Sequence, residues 1–155
     1  MKQQILGAAF IAATSFSVSS AFAGDAAKGE KIFKKCASCH MVGEGAKNRV
    51  GPILTNVVGS KMASVEGYKY GKSIVALGET GAIWTEEEIF EWLADPKKYL
   101  RAKLDDKKAK SKMSFKLKKE DERKDVIAYL ATLTSNKVEE GDAASEETST
   151  EGTTN

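Results

Sequence analysis

The chain has 155 residues, 41% of them hydrophobic and 8% aromatic, with a formal net charge of +2. That describes a soluble chain of about one domain's length, with one core rather than several. Two cysteines and a single histidine also exclude any metal centre built from several thiolates or imidazoles.

Residues 1–23 read differently from the rest. Lys2 gives a positive start, residues 5–13 form an apolar run, and Ala21-Phe22-Ala23 has the small-x-small pattern of a cleavage site. The run is too short, and too interrupted by serines and Thr14, to cross a hydrocarbon layer of roughly 30 Å. A cleaved signal peptide is expected, with a mature chain that starts near Gly24, works outside the cytoplasm and keeps no stable membrane insertion.

A first helix is expected from the N-cap Asp25, with Ala26, Gly29, Ile32, Phe33 and Cys36 on one side. It delivers Cys36-Ala37-Ser38-Cys39-His40, the C-x-x-C-H signature of thioether haem attachment. Positions three apart on a helical turn share a face, so both sulfurs can reach one porphyrin edge while His40 points its imidazole at the iron. A structural disulfide would leave the adjacent sole histidine unexplained. A redox C-x-x-C wants a preceding strand, and a zinc site needs two further ligands. One covalently bound haem c, with its iron, is the expected cofactor.

Residues 43–81 carry recurrent glycines without a sustained period and read as loops folded over something other than their own secondary structure. Thr85-Glu86-Glu87-Glu88 is a capping box opening a helix with Ile89, Trp92 and Leu93 on its apolar face, stopped at Asp95-Pro96. A short helical turn through Tyr99 follows. The last helix opens on Glu120-Asp121-Glu122 and places Val126, Tyr129, Leu130 and Leu133 at i, i+3, i+4 and i+7. Gly29, lacking a side chain, would let that helix cross the first one closely. The fold class is therefore mainly α, with the core domain at 24–133.

Residues 134–155 turn to Glu, Ser, Thr, Gly and Ala, the composition of a disordered acidic tail. The tail holds six acidic residues against Lys137, so 22 basic and 16 acidic residues lie in 24–133, a net +6. The small total charge hides a basic body.

The second face of the iron needs a donor other than histidine, and a methionine thioether is the usual soft alternative. Met1 leaves with the signal, and Met41 is bonded directly to His40 and cannot reach the opposite ring face. Met62 and Met113 remain, with Met113 favoured by its polar, loop-like surroundings at 111–115. Either could equally be a packed core methionine.

These features together resemble the class I cytochromes c, and most closely the bacterial cytochrome c2 type. The resemblance rests on Gly24-Asp25 through Phe33, the C-x-x-C-H motif, Gly51-Pro52, Asp95-Pro96-Lys97-Lys98-Tyr99, Ser111-Lys112-Met113 with Phe115, and Ala128-Tyr129-Leu130. It implies a fold of three to five helices and long loops wrapped around one covalently bound haem. It implies Met113 as the second iron ligand, and a Pro52 carbonyl that accepts the other imidazole N–H of His40. Tyr70, Trp84 and Ser111 fall where family members hydrogen-bond a haem propionate. Ser60, Ile74 and Trp92 depart from the frequent Arg, Asn and Tyr, which bears on the reduction potential. Residues 101–110 look inserted relative to the shortest members.

Such a protein would be a periplasmic electron carrier and not an enzyme, because His40 and Met113 leave the iron no vacant site. Phe33, Trp92, Phe115 and Leu130 would wall the haem. The resemblance implies a cytochrome bc1-type donor, and delivery to a photosynthetic reaction centre, a terminal oxidase or another periplasmic reductase. Lys35, Lys47, Arg49, Lys97, Lys98, Lys112, Lys118 and Lys119 would steer a monomer to acidic docking surfaces; no nucleic-acid partner is expected. Two other readings are a gas-binding or minor peroxidase protein with a labile methionine, and a haem-bearing subunit of a larger complex.

Overall fold

Asp25 opens the first helix as its N-cap: its Oδ1 accepts the backbone N–H of Lys28 at 3.0 Å, satisfying one of the free donors of helix α1, Ala26–Phe33. The computed structural model describes residues 23–134. The expected signal segment and acidic tail fall, apart from Ala23 and Thr134, outside the described residues. Four more helices follow: α2, Lys72–Glu79; α3, Glu86–Ala94; α4, Pro96–Lys103; and α5, Glu120–Thr132. The described residues hold no strand, only an isolated bridge between Lys61 and Ile83, and no helix long and apolar enough to cross a membrane.

Helices α1 and α5 cross at Gly29. A Cβ there would run into the Asp125 carbonyl, so the close approach requires glycine. The Asp25 backbone N–H donates to Asp125 Oδ1 at 2.8 Å, and the Phe33 and Tyr129 rings pack with centroids 5.6 Å apart. On α5 the buried apolar residues are Val126, Ile127 and Leu130, while Tyr129 is half-buried and Leu133 serves as the C-cap. Glu120, Asp121 and Glu122 occupy the first turn, where the helix dipole favours negative charge.

Two expectations need correction. The loop region at 43–81 contains α2, whose Ile74, Leu77 and Gly78 are buried at i, i+3 and i+4. The short turn after Asp95-Pro96 is a full eight-residue helix, because Asp95 Oδ1 caps it on the Lys98 N–H and Pro96 fills the first position. Asp95 is thus both the end of α3 and the start of α4.

The capping box at α3 is half made. Thr85 Oγ1 accepts the Glu88 N–H at 3.2 Å, but the Glu88 carboxylate turns away to Tyr99 and Lys103. Two apolar clusters result. One gathers Phe33, Ile89, Leu93, Leu117, Val126, Ile127 and Leu130; the other gathers Met62, Ile74, Leu77, Tyr99, Leu100 and Ala109. Trp84 and Trp92 pack against both.

The long segment after α4 is clipped back onto this frame. Lys116 Nζ pairs with Asp95 Oδ2 at 2.7 Å, and the Leu117 N–H donates to the Leu93 carbonyl at 2.8 Å. Buried Arg123 donates to the carbonyls of Leu117 and Lys118 at 2.9 and 2.8 Å and lies over the Phe90 ring. Met113 is therefore carried by a segment anchored at its far end to α3 and α5.

Candidate functional site

A cavity of about 520 Å³ opens beside the two clusters, and all eight residues singled out in the sequence line it: Cys36, Cys39, His40, Pro52, Tyr70, Trp84, Ser111 and Met113. The walls are mainly apolar and include Phe33, Trp92, Phe115 and Leu130.

Cys36 to His40 leave α1 in tight turns. The N–H groups of Cys36 and Ala37 donate to Phe33 O at 2.7 and 3.0 Å, and those of Cys39 and His40 to Cys36 O at 3.0 and 2.9 Å. Both thiols are free, and burial pushes the Cys36 thiol above its ordinary pKa. His40 Nδ1 lies 2.7 Å from the Pro52 carbonyl. A carbonyl only accepts, so Nδ1 carries the proton and Nε2 keeps its lone pair for a metal. Burial holds the His40 pKa below its ordinary value against the opposing pull of the Pro52 bond, which keeps the ring neutral. Gly51 completes the cradle, since a Cβ there would overlap the His40 ring.

Met113 is fixed twice. Its backbone N–H donates to Ser111 Oγ at 3.1 Å, and that hydroxyl donates to the Met113 carbonyl at 2.9 Å. Its sulfur accepts the Trp92 indole N–H at 3.3 Å. Met62, the other candidate, is 2% exposed in the second cluster, beneath the Tyr99 hydroxyl at 3.8 Å, and does not line the cavity. Packing thus separates two methionines that inventory alone left open.

The three residues matched to propionate contacts sit differently from one another. Tyr70 lines the cavity with its hydroxyl accepting the Val65 N–H at 3.3 Å, and burial raises its pKa. Trp84 packs on Trp92 and Tyr99, at 5.3 and 6.1 Å between centroids. The Ser111 hydroxyl is engaged on the Met113 backbone. Tyr68 also lines the cavity, donating to Val50 O at 2.7 Å and stacking edge-on with Tyr70, and went unnoticed in the sequence. Its position two residues before Tyr70 was the available signal.

A haem fits this cavity chemically. Two thiols share a turn, a neutral imidazole offers one lone pair, and a thioether is held in the wall. Lys35, Lys61, Lys110 and Lys112 line it with no carboxylate among the lining residues, which suits a group bearing two propionates.

Comparison with known proteins agrees. The family model described as Cytochrome c matches residues 26–134. Cytochrome c2 of Rhodospirillum rubrum is 45% identical over 134 residues, covering 86% of this chain and 99% of that protein. Cytochrome c2 of Rhodobacter capsulatus is 51% identical over 121 residues, covering 73% and 85%. The solved structure of cytochrome c2 from Rhodospirillum centenum superposes with a TM-score of 0.70 at 46% identity, covering 72% of this chain and all of that one. That of Paracoccus denitrificans superposes with a TM-score of 0.67 at 45% identity, covering 72% and 97%. The chain belongs to the cytochrome c family, a c-type cytochrome of mainly α fold whose cofactor is haem c.

Proposed function

We propose that this cytochrome is a periplasmic electron carrier whose single haem c is attached through Cys36 and Cys39 and ligated by His40 and Met113. When bound, haem c supplies an iron that takes up and releases one electron. The chain's part is to hold the donors and keep water out. Pro52 fixes the His40 tautomer so that Nε2 is the free donor, and the ring cannot turn without breaking a 2.7 Å bond. Ser111 and Trp92 hold Met113 at backbone and sulfur. The apolar walls would favour the less charged ferrous state of the haem and raise its reduction potential, as would the Met113 thioether as a ligand.

The observation that carries this reading is the double restraint on Met113. A gas-binding or peroxidase protein needs a methionine that leaves, and here both its backbone and its sulfur are engaged. An iron held by both His40 and Met113 would have no vacant site for a substrate, which favours a carrier over an enzyme.

Partner choice rests on charge. The eight basic residues named for docking are all exposed, and Lys35 and Lys112 line the cavity itself. Lys35 and Lys119 share Glu122 at 2.8 and 3.5 Å, which leaves the other six to carry the attraction for an acidic surface. A cytochrome bc1-type complex as donor, and a reaction centre, oxidase or reductase as acceptor, fit such a monomer, and a cleaved residue 1–23 signal would place it in the periplasm.

Optical spectroscopy tests the ligation. The ferric protein should be six-coordinate and low-spin with a far-red sulfur-to-iron band, and Met113→Ala should abolish that band. A high-spin, carbon monoxide-binding wild type would overturn the carrier reading.

A further inference from the structure

Electron carriage leaves Tyr99 without a task. It is 5% exposed on α4, yet its hydroxyl donates to Glu88 Oε2, a carboxylate on α3. Burial works against charge on Glu88, but hydrogen bonds from Lys103 and Tyr99 outweigh it and keep the carboxyl below its ordinary pKa. Lys103 Nζ holds the other carboxylate oxygen at 2.7 Å. Burial, and after it the Glu88 hydrogen bond and charge, push the Tyr99 phenol far above its ordinary pKa, so it does not lose its proton spontaneously.

Tyr99 is also joined to the cavity by rings. Trp92 packs edge-on against it with centroids 5.5 Å apart, and the Trp92 indole N–H reaches Met113 Sδ at 3.3 Å. Trp84 closes the triad on both rings. A phenol that loses an electron becomes a strong acid, and a base already hydrogen-bonded to it takes the proton in the same event. Tyr99 has such a base, and an aromatic route leads from it to the cavity wall.

We propose that the Tyr99–Glu88 pair is a one-electron donor site that drains oxidising equivalents from the cavity. The oxidant is a one-electron oxidant stronger than the ferric centre. One electron passes from the Tyr99 phenol through Trp92 and reduces the oxidant by one. The phenolic O–H bond breaks, its proton forms a new O–H bond on Glu88 Oε2, and a neutral phenoxyl radical remains. A thiol or ascorbate-class reductant returns the electron, and the proton goes back to the phenolate oxygen. The site acts on oxidants from any source and does not depend on which partners the carrier serves.

The test uses the holoprotein with photogenerated ruthenium(III) tris-bipyridine as the oxidant and freeze-quench electron paramagnetic resonance as the readout. The chain has four tyrosines, Tyr68, Tyr70, Tyr99 and Tyr129. The expected result is a phenoxyl signal that is lost in Tyr99→Phe and retained in Tyr68→Phe. Trp92→Phe should slow its appearance, and Glu88→Gln should slow it and change its solvent deuterium isotope effect. Each variant is first checked for an unchanged far-ultraviolet circular dichroism spectrum; Tyr99→Leu, which also lacks the phenol, replaces Tyr99→Phe if that variant misfolds. A wild type without a phenoxyl signal, or a signal that persists without Tyr99, overturns the site. Wild-type kinetics and isotope effect in Glu88→Gln overturn its role as proton acceptor.

Discussion

The Trp92 indole N–H donates to the Met113 sulfur at 3.3 Å, across 21 residues of sequence. A thioether that accepts a hydrogen bond gives less electron density to a metal, which favours the reduced state. Trp92→Phe keeps an aromatic wall and removes the donor. One such bond is worth about 1 kcal/mol, or about 40 mV for a one-electron couple. The midpoint potential of Trp92→Phe should fall by about that amount, measured by spectroelectrochemistry; a rise or no change would show that the indole bond does not act on the sulfur.

Gly29 makes the α1–α5 crossing possible, since a Cβ would meet the Asp125 carbonyl and, next, the Tyr129 Cβ at 2.8 Å. Backbone on one side cannot yield as a side-chain tip would. Gly29→Ala should therefore destabilise the holoprotein by about 1–3 kcal/mol, the usual cost of overpacking, seen as a lower urea midpoint with an unchanged slope.

How far the sequence carried this fold depends on whether a signal was local. The Asp25 and Thr85 caps, the glycine at the helix crossing and the C-x-x-C-H turn each involve residues within a few positions, or a missing side chain that only a close neighbour explains, and all were legible. Helix α2 was not. It spans eight residues, begins at Gly71 with no side-chain cap, and carries a glycine in its last turn, so neither a start signal nor a second apolar repeat was present. Its stability comes from burying Ile74 and Leu77 against Met62, Tyr99 and Leu100. Glu88 shows the opposite failure: its spacing from Thr85 fits a capping box, but Lys103 and Tyr99, 15 and 11 residues away, compete successfully for its carboxylate. Within the cavity, the motif and the family pattern found the residues, but only packing showed that Ser111 is spent on the Met113 backbone and that Trp92 still offers the sulfur a donor.

Asp95 links the start of α4 to the Lys116 segment through its carboxylate. The Lys116 hydrogen bond and then the Lys98 N–H hold its pKa below the ordinary 3.8, and the Lys35 hydrogen bond likewise lowers Glu122 below 4.5. Groups that titrate lower in the folded state contribute stability above their unfolded pKa and lose it as pH falls through the folded value. Asparagine caps a helix as well as aspartate does, so Asp95→Asn removes the charge and spares the α4 start. Urea midpoints of wild type and variant should differ at pH 7, and the gap should narrow as pH falls below 3.8 and on through the lower folded-state value. A gap that stays constant with pH would mean that the Lys116 pair contributes nothing as a charge.

The basic body and the acidic residues beyond it set up the last prediction. Residues 137–155 carry the six acidic residues of the expected tail. Lys47, Arg49, Lys97, Lys98, Lys112 and Lys118 have no ion-pair partner among the described residues, so acidic residues that follow the basic body in sequence would compete with a redox partner for them. Deleting residues 137–155 should leave the optical spectrum unchanged, because the residues proposed to hold the haem, Cys36, Cys39, His40 and Met113, all line the cavity and all stay in place. It should raise the rate of electron transfer to an acidic partner at low salt. The gain should shrink as ionic strength rises from about 0.01 to 0.1 M, where the screening length drops from about 30 to about 10 Å. Stopped-flow rates across that range decide the matter: equal rates for the two proteins at the lowest salt would reject a competing tail, whereas a difference that survives at high salt would point to a contact other than charge.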